Sequence, residues 1–566
     1  MKKYICEFYI SFLIILPTIS LGQGWVTRYN GPGNADDIAY ALTIDDAGNV
    51  YVTGWSWGST GGYAYATIKY DSSGTEQWVA RYSGPAAEGN NWDYAYALTV
   101  DNAGNVYVTG WSEGPGSGDD YATVKYDSLG TEQWVARYNG PVNGDDGAYA
   151  LAIDDAGNVY VTGQSRGSGT TWDFATVKYD SSGTEQWVAR YDGPTSSWDQ
   201  AYAIAVDDAG NVYVTGWSEG SGTGYDYATV KYDSLGVEQW VARYDGSASG
   251  VDWACALTVD GAVNVYVTGW SWGSGSGDDY ATVMYDSLGD EQWSTRYYGL
   301  GNDMDRARAI AVDNAGNVYV TGESWGAGTE YDYATVRYIF TGAERWVARY
   351  DGPDSGWDYA HALAVDDVGN VYVTGESWGA GTGLDYATVQ YDSSGVEQWV
   401  ARYDGPDNDD DVAYALAIDN GGNVYVTGRS DGIGTGKDYA TIKYSSVGIE
   451  EDAGFVIHDT RYHLRIYPNP FRHNTTIRYT IQDAGYTIEE ITLSIYDATG
   501  RLVKDLRPTP YSLRPTQISW DGTDQANRQL PNGVYFLRFA VSPVGTTGSG
   551  GEAGDYKETK KLLLIR

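Results

Sequence analysis

One heptapeptide, Gly48-Asn49-Val50-Tyr51-Val52-Thr53-Gly54, returns at Gly104, Gly157, Gly210, Gly316, Gly369 and Gly422, and in altered form at Val263-Asn264-Val265-Tyr266-Val267-Thr268-Gly269. The first interval is 56 residues and every later one is 53, so a single unit has been copied in register eight times. Periods of this size belong to solenoids and propellers.

Each unit contains four short runs rich in Val, Thr, Tyr and Trp that alternate like half-buried strands. In the fourth unit they are Tyr202 to Val206, Val212 to Thr215, Tyr227 to Tyr232 and Gln239 to Tyr244. None is long or periodic enough for a helix. The connection Asp207-Asp208-Ala209-Gly210-Asn211 and the connection Asp233-Ser234-Leu235-Gly236 have hairpin chemistry, because Asp and Ser bond their own backbone and Gly supplies a positive φ. Four antiparallel strands per unit predict a propeller blade, and eight units predict eight blades. The ends of the array fit a ring. Trp25-Val26-Thr27-Arg28-Tyr29 is a fourth strand with no preceding three, while the last unit stops at Tyr444 without its own fourth strand. Pairing the orphan strand into the last unit removes two exposed sheet edges. The repeated Trp residues, 25, 78, 134, 187, 240, 293, 346 and 399, are then expected between neighbouring blades.

The heptapeptide, with the following Tyr70-Asp71-Ser72-Ser73-Gly74-Thr75-Glu76-Gln77-Trp78 hairpin, resembles the bacterial β-propeller repeat of the SBBP type over Trp25 to Tyr444. The resemblance implies the fold and no single activity.

At the N-terminus, Lys2 and Lys3 precede an apolar run from Phe8 to Leu16, and Ser20-Leu21-Gly22 supplies small residues before Gln23. This pattern predicts a secretory signal over residues 1–22, cleaved between Gly22 and Gln23. The apolar run is shorter than the roughly 20 residues of a membrane span, so the mature chain is not expected to be transmembrane. Cys6 leaves with the signal and Cys255 remains alone, which excludes an intramolecular disulfide.

After Tyr444 the repeat stops. Residues 445–462 read as a linker, and residues 463–566 return to short strands, six or seven in about 100 residues, as in an immunoglobulin-like sandwich. The expected fold is therefore all-β: an eight-bladed β-propeller over residues 23–444 followed by this C-terminal sandwich. Tyr467-Pro468-Asn469-Pro470-Phe471, Tyr496-Asp497-Ala498-Thr499-Gly500-Arg501, Trp520-Asp521-Gly522-Thr523-Asp524 and Pro531-Asn532-Gly533-Val534-Tyr535, with the basic-apolar ending Lys560 to Arg566, resemble a C-terminal sorting domain of the type IX secretion system. They are less closely similar to the immunoglobulin-like domain of flagellar hook-capping proteins. The first resemblance implies that residues 463–566 engage the type IX secretion machinery and carry the protein across the outer membrane, to be secreted or held at the cell surface.

The formal net charge is −40, and it is unevenly placed: residues 463–566 are net +3, and the rest of the mature chain is −44. Such a surface repels nucleic acid and anionic membranes. Calcium is the natural counter-ion, and Asp407, Asp409, Asp410 and Asp411, or Asp119 and Asp120, are clusters that offer it carboxylates. No loop has the spacing of a dedicated calcium site, so no cofactor is expected. Four histidines, no Cys/His set, no nucleophile elbow and no phosphate loop leave no constellation for catalysis, and an enzyme is not expected.

Position-by-position comparison of the units shows where a ligand fits. The turns after the first and third strands are nearly constant, and the other two connections vary and are rich in Trp and Asp. Alternate connections emerge on one face, so one face is uniform and the other varied. On the varied face Trp92, Trp198, Trp253 and Trp357, with the carboxylates of Asp93, Asp199 and Asp358, form the candidate binding set, flat apolar surface beside hydrogen-bond acceptors for a neutral polysaccharide or a surface protein. A structural surface or matrix protein, and a secreted hydrolase acting on polysaccharide, are the competing expectations.

Overall fold

The computed structural model describes residues 22–85, 92–300 and 303–445, and in the C-terminal part 462–467, 475–481, 488–497, 501–506, 516–526, 528–531, 533–543 and 556–564. The expected signal peptide lies outside the described residues except for Gly22, as do residues 446–461 of the expected linker and most of the Tyr467-Pro468-Asn469-Pro470-Phe471 motif. The chain divides into two compact units, one of which spans Gln23–Ser445.

That unit is built from repeated, open four-stranded antiparallel sheets, and no helix occurs among the described residues. The sheet of Asp199–Val206, Val212–Gly220, Gly224–Tyr232 and Glu238–Tyr244 typifies them, with its strands paired in chain order. One sheet is different. It joins Val412–Ile418, Val424–Gly432 and Gly436–Ser445 to Gly22–Tyr29, so the orphan N-terminal strand supplies the fourth position missing at the end of the array.

The first strand of every sheet carries a bulge, and this explains the last Gly of the heptapeptide. In the fourth unit Ala201 pairs with Gly216 and Ala203 with Thr215, leaving Tyr202 as the extra residue. The distorted backbone brings the Gln200 carbonyl so close to Gly216 that a Cβ there would overlap it. A side chain at this Gly is therefore excluded by backbone, which cannot move aside as a side chain can.

Apolar residues of adjacent sheets interlock. Tyr160, Phe174 and Tyr191 of one sheet form a single buried cluster with Ala201, Val212, Val214, Val230 and Tyr232 of the next, and Trp187 packs against it. The repeated Trp residues do lie between sheets: Trp187 touches Tyr160 and Tyr232 on either side, and its indole N–H donates to the Ser234 carbonyl in the neighbouring hairpin at 3.2 Å. The same contacts join the last sheet to the first. Tyr425 and Tyr439 cluster with Val50, Val52 and Ile68, and the Tyr439 hydroxyl donates to the Ala66 carbonyl at 3.1 Å, as Tyr386 does to Ala440. Trp25 touches Tyr70 and Tyr425, and Arg28 donates to the Tyr403 hydroxyl at 3.1 Å.

In the C-terminal part a three-stranded sheet joins Tyr462–Tyr467, Thr475–Ile481 and Thr516–Trp520, and a four-stranded sheet joins Leu502–Asp505, Ile488–Asp497, Gly533–Pro543 and Tyr556–Leu564. Trp520 of the first sheet meets Tyr535 of the second edge-on at 5.6 Å, and Ile477, Leu493, Ile495, Leu537 and Phe539 are buried.

Candidate functional site

The two ends of each repeat sheet differ in chemistry. At one end the turn after the first strand is held by a single carboxylate. Asp207 Oδ1 accepts from the amides of Ala209 and Asn211, and Oδ2 from the Asn211 side chain and the Tyr213 hydroxyl, all between 2.7 and 3.0 Å. Burial works to raise the pKa of Asp207, but these donors outweigh it and hold it below the usual carboxylate range. The arrangement recurs at Asp45, Asp101, Asp154, Asp313, Asp366 and Asp419, and the carboxyls of Asp45, Asp101, Asp154, Asp313 and Asp419 are likewise held low. This end is the uniform one.

At the other end the residues differ from sheet to sheet. The bulged residue of the first strand is Tyr40, Tyr96, Tyr149, Tyr202, Cys255, Arg308, His361 or Tyr414, and the aromatic ones meet across the sheets. Tyr96 touches Tyr40 and Tyr149, Tyr149 touches Tyr202, and Tyr414 touches both His361 and Tyr40, with ring centroids 5.1–5.7 Å apart. The tyrosines fill one sector. In the other, Arg308 forms a two-pronged ion pair with Glu323 at 2.7 and 3.0 Å, Arg306 pairs with Asp278 at 2.7 Å, and both guanidiniums lie over the Trp270 ring. Burial raises the Cys255 thiol to about 12.

Of the expected binding residues, Trp92, Trp198 and Trp357 stand out from this end, each 48–49% exposed and each immediately before the first strand. Trp92 belongs to a larger aromatic group in which Tyr63 touches Trp55, Trp57, Trp92 and Tyr94 at 4.4–5.6 Å. Trp253 does not join this exposed set. It lies one residue into its strand, half-buried, and stacks on Trp270 at 5.3 Å and 11°.

The carboxylates Asp93, Asp199 and Asp358 also depart from expectation, because all three are fully buried and turned away from solvent. Asp199 Oδ2 accepts from the Gly193 amide at 2.8 Å, and Asp358 accepts from Gly352 at 2.7 Å and from the Trp378 amide at 3.1 Å. Asp93 accepts from Gly84 at 2.9 Å. They fasten the preceding loop to the sheet and do not face a ligand on the surface. Burial first, and in Asp199 the neighbouring Asp192 and Asp173 as well, pushes Asp199 and Asp358 up to about 6; Asp93 is raised too. A signal for this was present in the chain. The same position is Asp in all eight units (37, 93, 146, 199, 252, 305, 358 and 411), whereas a residue tuned to a ligand on a varied face would vary.

Sequence reasoning also passed over an Arg that latches each sheet to the one before it. Arg243 donates to Ser218 Oγ at 2.6 Å, to the Ser218 carbonyl at 2.9 Å and to the Tyr191 hydroxyl of the preceding sheet at 2.9 Å. Of the expected calcium clusters, Asp411 groups with Asp385 and Asp404, and Asp410 Oδ1 accepts from the Leu384 amide at 3.1 Å. Asp119 is pushed up to about 6 by burial, with Asp145 and Glu113 adding to it.

The profile of the beta-propeller repeat, SBBP, matches residues 24–60, 77–116, 186–222, 292–328 and 354–381, and that of the FlgD Ig-like domain matches residues 474–542. The chain thus carries beta-propeller repeats in five places and a C-terminal FlgD Ig-like domain. No curated protein matches it. Among solved structures it is similar to a eukaryotic initiation factor, at 8% identity and TM-score 0.33 over 85% of this chain and 89% of that one. It is also similar to prolyl oligopeptidase B from Galerina marginata, at 9% and 0.36 over 81% and 56%. An apocarotenoid oxygenase from Synechocystis is similar at 10% and 0.34 over 70% and 98%. No helix among the described residues is long and apolar enough to cross a membrane.

Proposed function

We propose that the repeat sheets are the eight blades of one closed propeller, that the chain is exported by its N-terminal signal and sorted by residues 463–566 through the type IX machinery, and that the propeller acts outside the cell as a non-catalytic binding module. Support for the ring comes from the Gly22–Tyr29 strand in the last sheet and from the Tyr439 to Ala66 bond between last and first. The ligand class is a neutral polysaccharide or a surface protein, met by the varied end.

The observation that carries the binding reading is the aromatic group around Tyr63, from which Trp92 projects, together with exposed Trp198 and Trp357 at the same position in other sheets. Flat exposed rings on several sheets suit weak contacts that a polymer multiplies by touching more than one at once. The buried Asp93, Asp199 and Asp358 make no contact with such a polymer and brace the loops that carry the Trp residues. A purely structural role is favoured by a different observation: the backbones of Trp92 and Trp198 bridge to Tyr63 and Trp172 of the preceding sheet, as bracing residues would.

Replacing Trp92, Trp198 and Trp357 together by Ala separates the two. The binding reading expects at least a tenfold loss of retention on insoluble neutral polysaccharide, or on an immobilised surface protein, with little change in melting temperature. Retention unchanged by the three substitutions, or no retention by the parent chain, would refute it.

A further inference from the structure

Around Asp226 the chain gathers three carboxylates from three separate places: Asp226 on a third strand, Asp245 just after the fourth strand of the same sheet, and Asp252 opening the next sheet. One oxygen from each lies within 4.8 Å of the other two. The same grouping recurs at Asp173, Asp192 and Asp199, at Asp332, Asp351 and Asp358, and at Asp385, Asp404 and Asp411.

Proximity of acids alone would mean little. The second observation is the state of the third-strand member. Asp226 is only 4% exposed; its Oδ2 accepts from Arg243 at 2.8 Å and from Thr223 at 3.0 Å, and its Oδ1 has no hydrogen-bond partner. Asp173, Asp332 and Asp385, 4–5% exposed, likewise each keep Oδ1 unpartnered while Oδ2 is held by an Arg. A buried carboxylate oxygen without a donor is costly, and two further carboxylates beside it add repulsion. Three acids and one Arg leave each group at a net charge of about −2.

We propose that these four groups are calcium sites, one at each of four junctions between successive sheets on the varied end. All the donors are hard oxygens in an irregular array, which suits Ca²⁺, tolerant of geometry, better than Mg²⁺, which demands an octahedron, or Zn²⁺, which prefers nitrogen and sulfur. With three carboxylates and no continuous ligand loop, affinity belongs to the weak extracellular range, about 10⁻⁴–10⁻³ M. The other sheets are internal controls. Asp120 and Asp438 also keep Oδ1 unpartnered, but there the middle position is Asn139 or Asn30, and the groups fall one charge short.

The test is calcium binding to the full chain after chelator treatment, by equilibrium dialysis against calcium chloride. Four ions per chain are expected, with a calcium-dependent rise in melting temperature that magnesium at equal concentration does not reproduce. The exposed middle acids can be changed without disturbing a buried contact. Each of Asp192→Asn, Asp245→Asn, Asp351→Asn and Asp404→Asn is expected to remove one ion, and Asn139→Asp to add a fifth. No calcium uptake by the parent chain up to several millimolar would overturn the proposal, as would a stoichiometry that none of the five substitutions alters.

Discussion

The two ends of a repeat sheet have the same backbone and opposite electrostatics. At the uniform end, the carboxylates of Asp207, Asp45, Asp101 and Asp154 are surrounded by donors and held below their ordinary pKa. At the varied end the inward Asp residues are pushed up, Asp37, Asp199, Asp358 and Asp411 to about 6 and Asp305 to about 7, with burial the largest cause in each. One end is built for stability alone. The other holds charges at a cost, beside residues that change from sheet to sheet, and this is where binding is proposed.

The comparison is broken most severely by removing the N-terminal strand at the junction between the last sheet and the first. Deletion of residues 23–31 takes Trp25 and Arg28 away and exposes the edge of Gly436–Ser445. Loss of the cooperative thermal transition, or a fall of more than about 10 °C, is expected. A deletion variant that melts like the parent would show that the sheets do not depend on the junction.

Titration sharpens the contrast next. A carboxylate with a raised folded-state pKa binds protons more tightly in the folded chain, so its stabilisation is full below about pH 4 and is lost as pH rises through about 6. The lowered Asp residues of the uniform end act in the opposite sense, stabilising above about pH 4 and losing that contribution as pH falls further. In calcium-free buffer the melting temperature should therefore peak near pH 4–5 and drop by on the order of 5 °C by pH 8. A melting temperature that climbs steadily from pH 5 to pH 8 would contradict the assignment of raised pKa values to the varied end.

The smallest of these effects comes from the one irregular turn at the uniform end. Val263 has φ 66° where the other units place Gly, as at Gly210 with φ 78°. A β-branched residue in that region is strained. Val263→Gly should stabilise by about 1 kcal/mol after the added flexibility of the unfolded chain is subtracted, read as a higher urea midpoint at unchanged m. A lower midpoint would mean that Val263 packing outweighs its backbone strain.

Much of this architecture was legible because it is repeated. The fixed 53-residue interval, the Asp-x-Ala-Gly-Asn turns and the lone strand at Trp25 each have one economical structural meaning, and the position of Trp187 between sheets followed from its recurrence. The direction of Asp199 was not legible from its own neighbourhood, because Trp198-Asp199 reads as an exposed pair in a variable loop. The bulge at Tyr202, which turns the Asp inward at one side and the Tyr toward its counterparts at the other, leaves no mark in local alternation. The three acids around Asp226 are separated by 19 and 7 residues and belong to two sheets, so no contiguous pattern announces them. In the C-terminal part, Leu502–Asp505 is a four-residue strand flanked by charge, too short for alternation to reveal.

The central claim is that, within one repeat, stability resides at the uniform end and the varied end is free to change. Asp207 and Trp198 belong to the same sheet and lie at its opposite ends, so urea unfolding of Asp207→Ala and Trp198→Ala, side by side, measures it directly. Asp207→Ala removes four accepted hydrogen bonds and should cost about 2–4 kcal/mol, whereas Trp198→Ala, which keeps the backbone bridge to Trp172, should cost less than about 1 kcal/mol. Equal losses, or a larger loss at Trp198, would contradict the division between the two ends.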